Sequence, residues 1–88
     1  MTANESSPAQ EVHALLLSAH PHPGDADLSK AAELASRPDG RRDELRGKTL
    51  LAIQTAQTAI AEGASADEAE RLLLRAIRAA EQWVRACV

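Results

Sequence analysis

Apolar residues recur at steps of three and four along most of this 88-residue chain, which is the spacing of one face of an α-helix. The pattern is most regular over the last quarter of the sequence. Its members there are Ala66, Ala69, Leu73, Ile77, Ala80, Val84 and Cys87. No stretch alternates apolar and polar residues with the period of two that is typical of a β-strand. The chain is therefore predicted to be an all-α protein, folded as a small helical bundle.

Capping and turn residues divide the first half of the chain. Pro8, which follows a serine, predicts the start of a helix over residues 8–19, and two prolines and a glycine shortly after it predict its end. Asp27 is the predicted N-cap of a short helix over residues 28–36. The Arg-Pro-Asp-Gly sequence at residues 37–40 is typical of a type I turn.

The second half is predicted to form two longer helices that fold back on each other. The first covers residues 41–62 and ends at Gly63, because glycine suits the left-handed conformation that follows a helix C-terminus. Ser65 and Glu68 have the spacing of a capping box, so the last helix is predicted from Ala66 almost to the C-terminus. Since the connection is short, these two helices should form an antiparallel hairpin, giving three main helices and one short helix in all.

The composition indicates a single domain with a thin core. A flexible tail is predicted over residues 1–7 and one α-helical domain over residues 8–88. Alanine supplies roughly half of the apolar residues, Phe and Tyr are absent, and Trp83 is the only aromatic residue. Alanine side chains bury little area, so a monomer is expected to be marginally stable and to gain from self-association.

Charge and cysteine content narrow the class of protein. The net charge of −3 does not favour nucleic-acid or membrane binding by the protein as a whole. Cys87 is the single cysteine, so no internal disulfide is expected. The N-terminus lacks the pattern of a secretory signal, and no apolar run approaches the ~20 residues that cross a bilayer. We expect a cytoplasmic protein, with the Ala- and Arg-rich composition typical of GC-rich bacteria and their phages.

Several bulky apolar residues fall outside the predicted core faces. Leu51 and Leu74 lie off the apolar faces of their helices and, with Leu17 and Leu34, are candidates for an exposed patch that docks on a partner or a second copy. Trp83 has two interpretations: it anchors an interface, or it fills the core at one end of the bundle. We include Leu51, Leu74 and Trp83 in the predicted partner-binding surface.

Four arginines occupy a further face of the last helix. Their spacing places the guanidinium groups side by side, where they can hold an acidic protein surface. Asp67 and Glu81 each precede one of them by four residues, which is also typical of an ordinary solvated helix face. The arginines of this predicted partner-binding set are Arg71, Arg75, Arg78 and Arg85.

A nucleic-acid-binding regulator is the main alternative. Arg41, Arg42 and Arg46 follow a predicted turn at the start of a helix, an arrangement similar to that of a helix-turn-helix. Acidic residues are interleaved with them, however, and the net charge is negative.

Histidines give a weaker alternative, a metal-responsive module. His20 and His22 are close enough in sequence to share an ion, whereas His13 is about 10 Å from His20 along a helix. The segment 15–28, LLLSAHPHPGDADL, superficially resembles the zinc-binding His-Pro-Asp-Asp turn of N-acetylglucosamine-type deacetylases. It lacks their consecutive acids, and no histidine follows His22, so we assign no family and predict no metal site.

No arrangement of nucleophile and base and no phosphate-binding glycine loop occurs in the sequence. We therefore predict no catalytic residue and no cofactor. The predicted function is a non-enzymatic interaction or regulatory module that binds a protein partner or itself, as a homodimer, through helix faces. Cys87 continues an apolar face and is interpreted as a small buried residue, or as a cross-link at a dimer axis.

Overall fold

A computed structural model describes residues 8–21, 24–37 and 43–87 of the chain. This part contains four helices and no strand, which confirms the predicted all-α class. The helices are α1 (Pro8–Ala19), α2 (Asp25–Ala35), α3 (Asp43–Ala61) and α4 (Ala66–Cys87). The predicted N-terminal tail, residues 1–7, and most of the predicted type I turn lie outside the described residues.

The four helices close into a bundle. Consecutive helices pack against one another, and α4 also packs against α1. The most extensive contact joins α3 to α4, as expected for the predicted antiparallel hairpin. With 12 and 11 residues, α1 and α2 are much shorter than α3 and α4, which have 19 and 22. Because α1 packs against α4 and α2 packs against α3, the two short helices form a layer on one side of the α3–α4 hairpin, and no other described helix packs on its other side.

Alanine packs at the centre of this bundle. Every helix contributes at least one fully buried or nearly fully buried alanine, so the helix backbones can approach closely. Larger side chains fill the remaining space. The largest fully buried ones are Trp83, Leu16, Leu28, Ile53, Leu73 and Val12.

The start of α2 differs from the prediction. The helix begins at Asp25, and Gly24 precedes it with an extended backbone and without a side-chain cap. Asp27, the predicted N-cap, instead lies in the first turn. A carboxylate there is still favourable, because the N-terminal end of a helix carries partial positive charge. The error arose because acidic residues are common both at the N-cap and in the first turn.

The α3–α4 connection follows the predicted chemistry. Gly63 has a φ of 91°, in the left-handed region. Its N–H donates to Ile60 O at 3.0 Å, and the Ala64 N–H donates to Ala59 O at 2.9 Å, which together make a Schellman motif. At the start of α4, the Glu68 N–H donates to Ser65 Oγ at 3.1 Å, which is one of the two bonds of the predicted capping box; the reciprocal bond to the Glu68 side chain does not form among the described residues. These local bonds satisfy groups that a helix end leaves unpaired.

We expect G63A to destabilise the protein by about 1 kcal/mol, because an L-residue with a side chain is strained at this φ. A Cβ at Gly63 would meet no atom within 4 Å, so steric contact adds nothing to the effect. Gly47 lies inside α3 and also has open space around it, so G47A is the matched control and should stabilise the helix. Urea unfolding followed by circular dichroism measures both; equal effects would contradict the role of Gly63.

Candidate protein-interaction surface

A groove runs along the outward side of the α3–α4 hairpin. We call it the outer groove. Its lining residues are Lys48, Leu51, Ala52, Gln54, Thr55, Thr58, Ala59 and Glu62 on one side, and Glu68, Leu72, Arg75 and Ala79 on the other. The part around Leu72 has a volume of about 420 Å³, and the part beside Arg75 about 220 Å³. Small side chains make the groove, because alanine and threonine leave room between the two helices.

Helical spacing explains why these residues meet. In α3 the groove residues Lys48, Ala52, Thr55, Ala59 and Glu62 follow one another in steps of four and three, with Leu51, Gln54 and Thr58 beside them. In α4 the groove residues advance in the same way from Glu68 to Ala79. Each set therefore forms a stripe on one side of its helix, about 100° around from the buried face, and Ala52 and Leu72 of these stripes also pack against the edge of the core. Leu51 borders the first stripe and is 64% exposed. The outer groove is thus a second, uncovered apolar surface of the hairpin.

Charges of opposite sign mark the two ends of the outer groove. Glu62 and Glu68 lie near the α3–α4 turn, and Lys48 and Arg75 lie towards the other end. Lys48 Nζ is 3.9 Å from Glu44 Oε2, a long and exposed contact. The side chains of Arg75, Glu62 and Glu68 form no ion pair with another described residue. These three charges can therefore pair with a partner.

Leu74 lies on a different side of the protein from Leu51. It is two residues beyond Leu72 and so about 200° around α4. His20 Nε2 contacts Glu70 Oε2 at 3.0 Å and joins the end of α1 to α4, which places Leu17 and Leu74 beside this junction. Both leucines are exposed. Leu74 does not line the outer groove with Leu51, and a patch shared by the two leucines stays a prediction.

Trp83 does not belong to the exposed surface. Its relative exposure is 0%, so the interpretation as a core residue is the one that the structure supports. This corrects its place in the predicted partner-binding set. Its Nε1 is buried and has no hydrogen-bond partner among the described residues. Leu34 is likewise packed against the core. The sequence alone did not decide whether Trp83 and Leu34 are buried. Helical spacing shows which face of a helix a residue lies on, but not which other helix covers that face.

The four predicted arginines of α4 are all exposed. Arg85 donates to Glu81 at 3.0 Å, as the spacing predicted. The expected pair between Asp67 and Arg71 does not form among the described residues. Of the four, Arg75 is the one that lines the outer groove.

Arg46 has a structural role. Its Nη1 donates to Ala35 O at 2.8 Å, and its Nε donates to Asp43 Oδ1 at 3.0 Å. The side chain is 16% exposed. It thus ties the C-terminus of α2 to the start of α3 and has little freedom to reach a phosphate. Arg41 and Arg42 lie outside the described residues.

His20 is engaged by Glu70, and His13 is part-buried in α1. Within the described ranges, no group of three or more His, Cys, Asp and Glu residues could hold a metal ion. His22 and the side chain of Cys87 lie outside the described part.

No family model, curated protein or solved structure matches this chain. No helix in the described part of the chain is long and apolar enough to cross a membrane. Sequence analysis had identified Leu51 and Arg75 but missed the small residues between them. Their signal was a second stripe at steps of three and four, one residue out of phase with the core face of α3 and so about 100° around the helix.

Proposed function

We propose that this protein is a small, non-enzymatic interaction module of the cytoplasm that binds a second copy of itself through the outer groove. The exposure of Leu51 beside an uncovered apolar groove carries the proposal. Fully burying an exposed leucine side chain stabilises a complex by about 1.5–3 kcal/mol. A symmetric dimer buries Leu51 of both copies, so this contribution is made twice. Self-association would also supplement the small alanine-rich core.

The test is the molecular mass in solution, measured by light scattering over a wide concentration range. We expect the mass of the wild-type chain to rise from monomer to dimer, because burying Leu51 favours association. L51D should remain monomeric, since a carboxylate in the interface would have to be desolvated. L17D is the matched control: Leu17 is also an exposed leucine, but it lies beside the α1–α4 junction, so this variant should dimerise like the wild type.

The possible results separate the available surfaces. Loss of the dimer in L17D but not in L51D would move the interface to Leu17 and Leu74 and contradict the role of the outer groove. A wild-type chain that stays monomeric throughout would overturn self-association. Circular dichroism of each variant checks that the helices remain intact.

The contacts of Arg46 argue against nucleic-acid binding as a second function. Arg46, one of the three residues on which that hypothesis depends, is committed to Ala35 and Asp43. Metal binding through His20 has no supporting cluster among the described residues, where its Nε2 contacts Glu70 alone.

A further inference from the structure

The charge order of the outer groove specifies how a second copy is oriented. Along α3, Lys48 and Glu62 each lie seven residues from Thr55, or about 10 Å at the helical rise. Along α4, Arg75 and Glu68 lie three and four residues from Leu72, or about 5 Å. Positive and negative charges are thus placed almost symmetrically about the level of Thr55 and Leu72, which line the same part of the groove.

We infer that two copies pack face to face through the outer groove in antiparallel orientation, related by a two-fold axis that crosses the helices at Thr55 and Leu72. The inference rests on the proposed function and adds the geometry of the partner. This two-fold axis lies in the plane of the interface and is perpendicular to the helices, so each helix of the second copy runs opposite to the same helix of the first. It therefore places Lys48 of each copy opposite Glu62 of the other, and Arg75 opposite Glu68.

The alternative face-to-face dimer is electrostatically unfavourable. A two-fold axis parallel to the helices keeps their direction, so the basic ends of both copies would meet, as would the acidic ends. Like charges facing each other across an interface disfavour that arrangement, whereas the antiparallel one makes every facing pair attractive. Each pair also occurs twice in a symmetric dimer, so the electrostatic preference is doubled.

Side-chain size fits the same orientation. Leu51 lies four residues before Thr55, and Ala59 lies four residues after it. The antiparallel axis therefore brings Leu51 of one copy onto Ala59 of the other, next to the 420 Å³ part of the groove, which Thr58 and Ala59 line. A large side chain meets a small one at both ends of the contact, as efficient helix packing requires.

Charge reversal tests the orientation through the dimer dissociation constant, measured by sedimentation or light scattering at low salt. We expect K48E to raise the constant at least about tenfold, and E62K to do the same, because each makes a facing pair repulsive in both halves of the dimer. The double variant K48E/E62K should return to within about threefold of the wild type, since it exchanges the two signs and restores attraction. An equimolar mixture of the two single variants should form a heterodimer for the same reason.

K30E is the matched control. Lys30 is exposed on α2, away from the hairpin, and the substitution changes the net charge by the same amount as K48E. It should leave dissociation unchanged, which separates a local pair from a general effect of charge. If K48E instead tightens the dimer, the copies are parallel and the inference is wrong, while the proposed function stands.

Two other results are decisive. If dimerisation requires Leu51 but K48E, E62K and K48E/E62K leave the dissociation constant unchanged, the antiparallel pairing is wrong and the proposed self-association stands. A wild-type chain that remains monomeric overturns both this pairing and the proposed self-association, and leaves the outer groove to a different protein.

Discussion

W83A is expected to lose most of the stability of this protein. Trp83 is the largest fully buried side chain, and removing a buried Trp costs about 3–5 kcal/mol through lost transfer energy and a residual cavity. A domain of this length has a total unfolding free energy on the order of 4–13 kcal/mol. The loss is therefore a large share of the total. Urea unfolding followed by circular dichroism measures it, because the variant has no tryptophan fluorescence.

W83F is the informative companion to W83A. It keeps an aromatic ring but removes Nε1, which is buried without a hydrogen-bond partner at a cost of about 1–3 kcal/mol. Relief of that cost offsets the smaller ring, so W83F should be far more stable than W83A. If the two variants are equally destabilised, the indole N–H makes a stabilising bond and our account of Trp83 is wrong.

L73A is expected to destabilise the protein by about 2–5 kcal/mol, because Leu73 is fully buried in the core and alanine leaves a cavity there. The neighbouring residue provides the control. Leu74 is 39% exposed, so L74A removes the same atoms from a position already in contact with water and should cost far less. Thermal unfolding of the two variants, compared at the same concentration, measures the difference.

The comparison of L73A with L74A tests the orientation of α4. Adjacent residues of a helix point about 100° apart, so a rotation of α4 by that angle would exchange their environments. A larger loss for L74A than for L73A would contradict the core described above. Equal losses of unfolding free energy in the two variants would place both leucines at the edge of the core.

Local chemistry explains why much of the fold could be predicted. The bounds of α1 agree with those predicted at both ends, because Pro8 and the later prolines act within one turn of the helix. Gly63 and Ser65 likewise marked the α3–α4 connection through bonds that involve only nearby residues. The early start of α2 was missed, since neither Gly24 nor Asp25 carries a decisive start signal.

The candidate site was less predictable because exposure depends on neighbouring elements. Helical spacing showed that Leu51 and Leu74 fall outside the core faces, and both are exposed. It could not show how much of each side chain the neighbouring helices cover, which leaves Leu51 more exposed than Leu74. Arg46 looked like a free cation in the sequence, yet it bonds to Ala35, eleven residues away, across the α2–α3 junction.

The sequence by itself determined the helical class, the α3–α4 hairpin and an alanine-rich core, because these follow from spacing and from contacts within a few residues. The tertiary structure alone decided which surplus apolar residues remain exposed. Trp83 is enclosed when the four helices close, whereas the short α1 and α2 layer leaves the other side of the hairpin uncovered. The outer groove exists because burial depends on which helices meet, and that information is spread over the whole chain.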